Sequence, residues 1–405
     1  MKDFDQNRTG PLHDVRVIDM SRLVAGNMLS VYLADFGADV IKVESSPQGD
    51  PSRRTGTNFI GGVSTMFLTW NRNKRSICLD MRTEDGLAVA RKLIETADVV
   101  IENFRPGVAD EIGIGWDVVR KLNDRTIYVA VNAFGSKGPW KERPGTDPIV
   151  QAMSGVMSVT GEPDGGPVLV GIPIADYVSA MIAVQAILLG LQARQVTGRG
   201  QYIEVPMFAT LLFGLTTRIG PFFQTGENPT RFGSQHSQVV PYQAFESKDG
   251  WLVAGVWGDG WEDFCDAIDR PELVADERFD SNLKRVERRD ELSELLIVRF
   301  KERTTIEWEQ RFVDRGVLFS PVHSFSDIIN HPQTTELGLV QTVQHPEAGE
   351  LKQIGPVILM SDTPGLIRTA PPRLGANTEE ILAEAGYTEV ERTKFLRSGA
   401  ARGPD

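Results

Sequence analysis

The alternation of strand and helix patterns in the first third of the chain restricts the fold more than any other feature of the sequence. Short runs rich in β-branched residues are separated by stretches with apolar residues at helical spacing. This alternation predicts a doubly wound, mostly parallel α/β sheet, in which ligands bind outside the carboxyl ends of the strands. The predicted strands are 15–21, 38–44, 76–79, 98–104 and 125–135, and the predicted helices are 23–36, 83–97 and 107–122.

The pattern changes in the second half of the chain. A hairpin is predicted to turn at 248–250, and the charged segment 261–315 is predicted to be helical. From about residue 340 the chain is predicted to return to the first domain. We therefore predict a large Rossmann-like domain of residues 1–207 plus 340–405, linkers at 208–231 and 325–339, and a smaller α+β domain of residues 232–324.

A single carboxylate, Asp176, lies between an apolar run at 167–175 and an uncharged apolar helix at 177–193. The run is predicted to be a buried strand or an extended lead-in to the helix, which is short for a membrane span and is predicted to lie in the core. An acidic side chain in such an apolar stretch must be solvated by water, be paired with another group or take part in the protein's function. Asp is a favoured N-cap, so one interpretation is a helix cap. The other, which is compatible with the first, is a nucleophile held ionised by the helix dipole.

Composition and missing motifs exclude several classes of function. The net charge of −12 and a pI near 5.1 argue against general binding to nucleic acids or anionic membranes, although a local basic patch can still bind an anion. Cys78 and Cys265 are far apart and five histidines are scattered, so we predict no disulfide and no metal site. With no signal peptide pattern at the start, we expect a cytoplasmic protein. The first strand is not followed by G-x-G-x-x-G, which argues against a dinucleotide enzyme.

The chain carries seven stretches with a common resemblance: VRVIDMSRLVAG, LADFGADVIKVE, NRNKRSICLD, DVVIENFRPG, GPVLVGIPIAD, TGRGQYIEVPM and PPRLGANTEEIL. They span nearly its whole length, and together they resemble the class III CoA-transferases, the family of formyl-CoA transferase and carnitine CoA-transferase. The stretch RFGSQHSQVVPYQAF and the hairpin after it resemble members that act on dicarboxylates such as succinate or glutarate. The resemblance implies an interlocked homodimer that uses acyl-CoA and a small carboxylic acid as substrates, with no permanently bound cofactor and no nucleic-acid or membrane partner.

The family's nucleophilic aspartate corresponds to Asp176, so the resemblance implies acyl transfer through covalent intermediates. Asp176 attacks the thioester carbonyl of the donor, which is succinyl-CoA on the finer match, and gives a mixed anhydride with loss of CoA thiolate. The thiolate attacks the aspartyl carbonyl to give an aspartyl-CoA thioester and the free donor acid. The acceptor carboxylate then forms a second anhydride, and the thiolate finally leaves with the acceptor. This chemistry suits a carboxylate set in apolar sequence, because anhydrides hydrolyse.

The family's CoA contacts correspond mostly to residues at the predicted strand ends, so two independent arguments agree on that region. Arg82, with Lys74, Arg75 and Arg105 nearby, would supply positive charge for a CoA phosphate. For Lys74 and Arg75 the alternative is a solvated loop charge. The implied CoA-binding residues are Val24, Ala25, Leu79, Asp80, Met81, Arg82, Asn103, Phe104, Arg105, Pro144, Gly145, Thr146 and Asp147.

Further residues are predicted to contact the substrate acid. Asp147 corresponds to an acidic residue of the family that faces the active site, and the alternative is a turn residue. His236, with Arg231, would orient a substrate carboxylate, and the alternative for His236 is an incidental loop histidine. Gly258 and Gly260 would belong to a glycine loop that closes over the nucleophile, and the alternative is an ordinary turn.

The chain departs from some family members at three positions. Ser45 replaces a basic residue, Glu111 replaces an arginine, and Val24 replaces a polar residue of formyl-CoA transferase, which argues against oxalate as the native substrate. The related acyl-CoA racemases carry a G-H-D run where this chain has Gly145-Thr146-Asp147, so the racemase base is missing. An acyl-CoA racemase, epimerase or isomerase on the same fold is the alternative function, followed by a catalytically silent CoA-binding protein.

Overall fold

The computed structural model describes residues 10–404 and divides into two compact units. The first unit comprises the chain up to Val156, Val170–Pro221, and the chain from Gln333 onward. The second comprises Met157–Leu169 and Phe222–Pro332. Compared with the predicted domains, residues 157–169 belong to the second unit rather than the first. The predicted linkers are not separate segments, because their residues are divided between the two units.

Within residues 10–404 the strands are short and form four sheets. They are β1 Arg16–Asp19, β2 Asp39–Ser45, β3 Phe59–Ile60, β4 Val63–Ser64, β5 Lys74–Leu79, β6 Val99–Glu102, β7 Ile127–Asn132, β8 Tyr202–Pro206, β9 Tyr242–Glu246, β10 Trp251–Gly255, β11 Leu318–Pro321, β12 Val340–His345, β13 Gly349–Ile354 and β14 Ala401–Arg402.

Several helices of the first unit directly follow a strand of its main sheet. In chain order the helices of both units are α1 Ala25–Asp35, α2 Thr65–Trp70, α3 Glu84–Ile94, α4 Val108–Ile112, α5 Trp116–Leu122, α6 Asp147–Ser154, α7 Val156–Val159, α8 Ile174–Thr197, α9 Met207–Gly214, α10 Thr216–Thr225, α11 Trp261–Ala267, α12 Asn282–Glu287, α13 Arg289–Phe300, α14 Thr305–Val313, α15 Phe325–Ile329, α16 Pro332–Glu336, α17 Thr378–Glu384 and α18 Glu389–Ser398. Pro51–Arg53 and Pro271–Leu273 form single 3₁₀ turns.

The first unit is built on a seven-stranded sheet in the order β14-β5-β2-β1-β6-β7-β8. All neighbouring strands are parallel except the short β14, which pairs antiparallel with β5 at one edge. This confirms the prediction of an α/β fold with a mostly parallel central sheet. Each of the five predicted strands overlaps an observed one; β2 extends one residue further than predicted, to Ser45, and β5 begins two residues earlier than predicted, at Lys74.

Both faces of this sheet are buried, as is usual for parallel strands between crossover helices. Successive residues of β1 belong to different apolar clusters: Val17 packs with residues of α1 and α8, and Ile18 packs with residues of α3 and α17. Local sequence sets the helix boundaries. Thr83 accepts a hydrogen bond from the amide of Gly86 at 3.1 Å and is the N-cap of α3.

Helix α8 differs from its prediction at both ends. Residues 167–173 are irregular and mostly exposed, so the predicted buried strand is wrong; Pro167 and Pro173 lack the amide that a sheet ladder requires. The helix begins at Ile174, and Asp176 therefore lies inside its first turn and is not the N-cap. Its buried face carries Ala180 and Ala183, whereas Leu189 on the opposite side is 70% exposed.

Among residues 10–404, α8 is the one helix with the length and apolarity of a membrane span, a criterion that core helices of soluble proteins also meet. One face of α8 belongs to the apolar cluster beneath the sheet, and the helix packs against β7, α1 and α9.

The second unit contains a three-stranded antiparallel sheet in the order β11-β10-β9, with helices α11 to α14 packed around an aromatic cluster. Phe245 and Phe300 stack with ring centroids 4.2 Å apart, and Trp308 and Phe312 are fully buried beside them. The hairpin of β9 and β10 turns where it was predicted, and Ser247 closes it with a hydrogen bond to Gly250.

Candidate active site

A cavity of about 510 Å³ opens at the carboxyl ends of β1, β6 and β7 in the first unit. The amino-terminal residues of α1, α6 and α8 contribute to its wall. It brings Asp176 together with eight of the thirteen residues that were predicted to bind CoA. The predicted residues that line it are Val24, Ala25, Asn103, Phe104, Arg105, Gly145, Thr146, Asp147 and Asp176.

Asp147 provides the side-chain cap that the sequence assigned to Asp176. Its Oδ1 atom accepts hydrogen bonds from the amide of Ala175 at 2.6 Å and from the amide of Asp176 at 3.3 Å. Its Oδ2 atom accepts from Nε2 of Gln151 at 2.6 Å, which fixes the carboxylate from the other side. Asp147 is the first residue of α6 and is buried, so this carboxylate is built into the start of α8.

The Asp176 side chain is half-buried and accepts a hydrogen bond from the backbone amide of Ala25, at the start of α1. Burial, together with the neighbouring Asp147 carboxylate, raises the pKa of Asp176 to about 7, against the lowering effect of the Ala25 hydrogen bond. The sequence predicted a carboxylate held ionised by the helix dipole. Burial and the Asp147 carboxylate act in the opposite direction, because both favour the protonated acid.

The cavity also contains two cationic residues that the sequence analysis missed, Lys141 and Arg143. Both are exposed and lie in the loop after β7, directly before the predicted stretch 144–147. Among residues 10–404, Arg143 and the predicted Arg105 have no carboxylate partner. The signal was present in the sequence, since the loop GSKGPWKERPG concentrates basic residues immediately after a strand end.

Glu102 lies at the carboxyl end of β6, immediately before the predicted cavity residues of that strand end, and was also missed. Its Oε2 atom accepts a hydrogen bond from the amide of Phe104 at 2.7 Å. Burial raises the pKa of Glu102 to about 8. The side chain thus fixes the turn that carries Asn103 and Arg105. In sequence it looked like an ordinary residue at the end of a strand.

Five predicted CoA-binding residues do not line the cavity. Leu79 is fully buried between two neighbouring strands, and Asp80, Met81 and Arg82 follow it at the carboxyl end of β5. The side chain of Arg82 is 80% exposed and is paired with Asp80 at 2.8 Å. Pro144 is exposed and directly precedes Gly145, which does line the cavity. The carboxyl end of β5 lies on the same side of the sheet as the carboxyl strand ends that form the cavity, and β5 is two strands away from β1.

Lys74 and Arg75 are not available to a CoA phosphate, so that prediction is wrong. Lys74 is buried in β5, where its Nζ atom lies 3.3 Å from Oδ2 of Asp19. Burial lowers the pKa of Lys74 to about 7, although Asp19 acts to raise it. Arg75 pairs with Asp39 at 2.9 Å and with Glu384 at 2.6 Å. The alternative of solvated loop charges is wrong as well, because both residues are strand residues.

The remaining predicted residues lie in the second unit. The Nδ1 atom of His236 accepts hydrogen bonds from two backbone amides at 3.1 and 3.2 Å, and its ring stacks on Tyr242. Arg231 donates to the carbonyls of Glu162 and Gly165 at 3.1 and 2.6 Å, so these contacts give it a role in holding a loop. Gly258 is in an exposed turn with a φ of 61°, and Gly260 directly precedes α11. Their predicted substrate contacts stay predictions.

Within residues 10–404, the His, Cys, Asp and Glu side chains form no group of three or more that could hold a metal ion. Cys78 and Cys265 are buried free thiols, and burial raises the pKa of both. The reactive acid–base groups described in the cavity are therefore the two carboxylates, and the basic residues around them supply positive charge.

Comparison with known proteins gives matches along nearly the whole chain. The model of CoA-transferase family III matches residues 12–378. Succinyl-CoA:glutarate CoA-transferase of Mus musculus is 36% identical over 96% of this chain and 90% of its own length. Succinate–glutarate CoA-transferase of Agrobacterium fabrum is 33% identical over 96% of this chain and 98% of its own length. The crystal structure of a CAIB/BAIF family protein from Brucella suis superposes with a TM-score of 0.84 at 33% identity, covering 93% of this chain and all of that one.

Proposed function

Because the chain belongs to CoA-transferase family III, we propose that it transfers CoA from succinyl-CoA to a second carboxylic acid through covalent intermediates on Asp176. The observation that carries this proposal is the geometry of Asp176: a half-buried carboxylate with a raised pKa, aimed into a cavity at the carboxyl ends of parallel strands. The names of two relatives, which pair succinate with glutarate, support a dicarboxylate acceptor.

The proposed first step forms a bond between an Asp176 oxygen and the thioester carbonyl carbon, and CoA thiolate leaves. Poor solvation favours this attack, because a carboxylate with a pKa near 7 is more basic than one in water and retains an ionised fraction at neutral pH. The Ala25 amide holds one carboxylate oxygen while the other reacts. The thiolate then attacks the aspartyl carbonyl, which releases the donor acid and leaves an aspartyl-CoA thioester.

The second half of the reaction repeats these steps with the acceptor. Its carboxylate attacks the thioester and forms a second anhydride, after which the thiolate takes the acceptor acyl group and frees Asp176. Each anhydride must be shielded from water. A small cavity with apolar walls from Val24, Phe134 and Met207 favours such shielding. The glycine turn at 258–260, and His236, stay candidates for closing or completing the site.

CoA is proposed to lie along the carboxyl edge of the sheet, from the cavity toward the end of β5. CoA bound in this way would contact both groups of predicted CoA-binding residues, those in the cavity and those at Asp80–Arg82. Arg82, with an exposed side chain, is the proposed contact for a phosphate at the far end. Arg105 and Arg143 in the cavity are proposed to bind the second carboxylate of the dicarboxylic acids.

We further propose that the enzyme is a cytoplasmic homodimer of interlocked subunits. Large apolar side chains of the first unit are exposed: Leu189 and Leu359 are each 70% exposed, and Phe213 is 72% exposed. We propose that these side chains contribute to the subunit interface, where a contiguous apolar patch would be buried. Light scattering coupled to size-exclusion chromatography distinguishes a dimer from a monomer.

Covalent trapping tests the proposal directly. Succinyl-CoA supplied without acceptor should add acyl or CoA mass to the protein. Hydroxylamine should then leave a hydroxamate on the peptide that contains Asp176. Asp176→Ala should abolish both the adduct and transfer, and Asp176→Asn, which keeps an acceptor for the Ala25 amide, is the control for folding. An unmodified mass, under conditions where transfer to an acceptor is measured, would favour direct attack in a ternary complex.

The alternative racemase function has no supporting observation in the cavity. Thr146 stands where the racemases carry their histidine, and in this structure it precedes Asp147 at the start of α6. The lining of the cavity includes no histidine from the described part of the chain. Exchange of labelled carboxylic acids into acyl-CoA separates a transferase from an epimerase, which would exchange hydrogen at the α-carbon instead.

A further inference from the structure

Leu23 adopts an unusual backbone conformation close to the proposed nucleophile. Its φ is 62°, in the left-handed region that residues other than glycine rarely occupy. It lies between β1 and α1, two residues before Ala25. Leu23, Ala25 and Asp176 line the same cavity, and the amide of Ala25 interacts with the carboxylate of Asp176. A strained residue persists only where its surroundings hold it, and such residues cluster at functional sites. The contacts that hold Leu23 therefore determine where the Ala25 donor points.

Two buried side chains hold the backbone of Leu23 on both sides. The amide of Leu23 donates to Oδ1 of Asp50 at 3.1 Å, and its carbonyl accepts from Nδ2 of Asn27 at 2.5 Å. The same Nδ2 atom also donates to Oδ2 of Asp50 at 2.9 Å, which joins the two side chains. The preceding peptide is fixed as well, because Arg22 exchanges hydrogen bonds of 2.8 and 2.7 Å with the side chain of Asn103.

Lys42 fixes the orientation of these side chains. Its ammonium group is fully buried and lies 2.6 Å from Oδ1 of Asn27, 2.9 Å from Oδ2 of Asp50 and 3.0 Å from the carbonyl of Ser21. An ammonium has three hydrogens, and these three acceptors use all of them. Because Oδ1 of Asn27 accepts from Lys42, its Nδ2 atom must face Leu23. We refer to Asp50, Asn27 and Lys42 as the Leu23 clamp.

We propose that the Leu23 clamp holds the turn after β1 and thereby aims the amide of Ala25 at the carboxylate of Asp176. The clamp residues do not enter the reaction; they are positioning residues. This inference rests on the proposed role of Asp176 as the nucleophile. If the turn relaxes, Leu23 returns to a favoured backbone conformation and the Ala25 donor moves away. The carboxylate then loses the hydrogen bond that stabilises its charged form.

The test compares two buried asparagines. Asn27→Ala removes the contact to the Leu23 carbonyl. Asn71→Ala is the matched control, because Asn71 is equally buried and is linked to Asn27 only through Lys74, whose Nζ atom lies 2.8 Å from Oδ1 of Asn71 and 3.4 Å from Oδ1 of Asn27. The titration of the Asp176 carboxyl carbon is followed by ¹³C NMR without substrate, and is assigned by comparison with Asp176→Asn. Loss of one hydrogen bond to a charged group should raise the midpoint by about one pH unit in Asn27→Ala. The Asn71→Ala midpoint should stay at the wild-type value.

Two substitutions at Leu23 test the same turn from outside the buried clamp. Leu23 is 38% exposed, so both variants are expected to fold even where Asn27→Ala does not. Valine tolerates a positive φ poorly and should raise the midpoint, whereas glycine adopts it freely and should leave the midpoint in place. Both replacements shorten the side chain, so a difference between their titration midpoints reflects how well each residue adopts the positive φ of Leu23.

The other charged groups around the nucleophile are the same in every variant. Asp147 lies beside Asp176, and Arg105, Lys141 and Arg143 line the same cavity. A raised midpoint in Asn27→Ala and Leu23→Val, with single-turnover adduct formation about fivefold slower near neutral pH because a smaller fraction of Asp176 is ionised, supports the inference. Equal midpoints in all folded variants would overturn it. Failure of the wild type to form any adduct would instead refute the proposed function, which separates the two outcomes.

Discussion

Replacement of Asp176 by asparagine should stabilise the folded protein above neutral pH while abolishing transfer. The folded structure raises the pKa of Asp176 from 3.8 to about 7, a difference of about three units. Each unit corresponds to about 1.4 kcal/mol, so ionised Asp176 opposes folding by about 4 kcal/mol at most. Water reaches the half-buried carboxylate, which reduces the expected gain for Asp176→Asn to about 2–4 kcal/mol.

The sign and the pH window follow from the direction of the shift. A raised pKa means that the folded state prefers the protonated acid, so this contribution to stability is fully present below pH 3.8 and is lost as the pH rises through about 7. Asparagine is neutral at every pH and keeps an oxygen for the Ala25 amide. The advantage of Asp176→Asn should therefore grow as the pH rises and become constant above about pH 7.

Urea denaturation at fixed protein concentration, at about pH 5 and about pH 8, measures this gain. We expect the advantage of Asp176→Asn to be larger by about 2 kcal/mol at the higher pH. Asp124→Asn, an identical change at an exposed position of the same unit, is the control. An equal gain at both pH values, or no gain at about pH 8, would refute a raised pKa as the source of the effect.

Two further predictions concern the cavity. Asp147→Asn keeps an acceptor for the amide of Ala175 but removes the charge that helps to raise the pKa of Asp176, so the pH midpoint of adduct formation should fall by about one unit. A midpoint that stays in place would show that burial alone sets it. Arg143→Gln should weaken dicarboxylate acceptors about tenfold in kcat/KM and leave monocarboxylates of equal length unchanged, as measured with a panel of acids. An equal loss of kcat/KM for dicarboxylates and monocarboxylates would indicate that Arg143 binds CoA rather than the acceptor acid.

The site divides into features that the sequence predicted and features that depend on distant parts of the chain. Val24–Ala25 and Asn103–Arg105, which the sequence placed at predicted strand ends, line the cavity together with Asp176, because the carboxyl ends of parallel strands meet at one edge of a sheet. The cap of α8 was not predictable locally. Asp147 lies 28 residues before the amide of Ala175 that it accepts from, and no pattern around Asp176 indicates it.

The sequence by itself determined the order and type of the main elements, because hydrophobic periodicity is local and the alternation of strand and helix allows few topologies. The tertiary structure alone decided the charge states. Lys42 and Lys74 look like surface residues in sequence, yet their ammonium groups are buried beside Asp19 and its neighbours. Burial and pairing depend on which side chains the fold brings within a few ångströms, and that information is not contained in the spacing of residues along the chain.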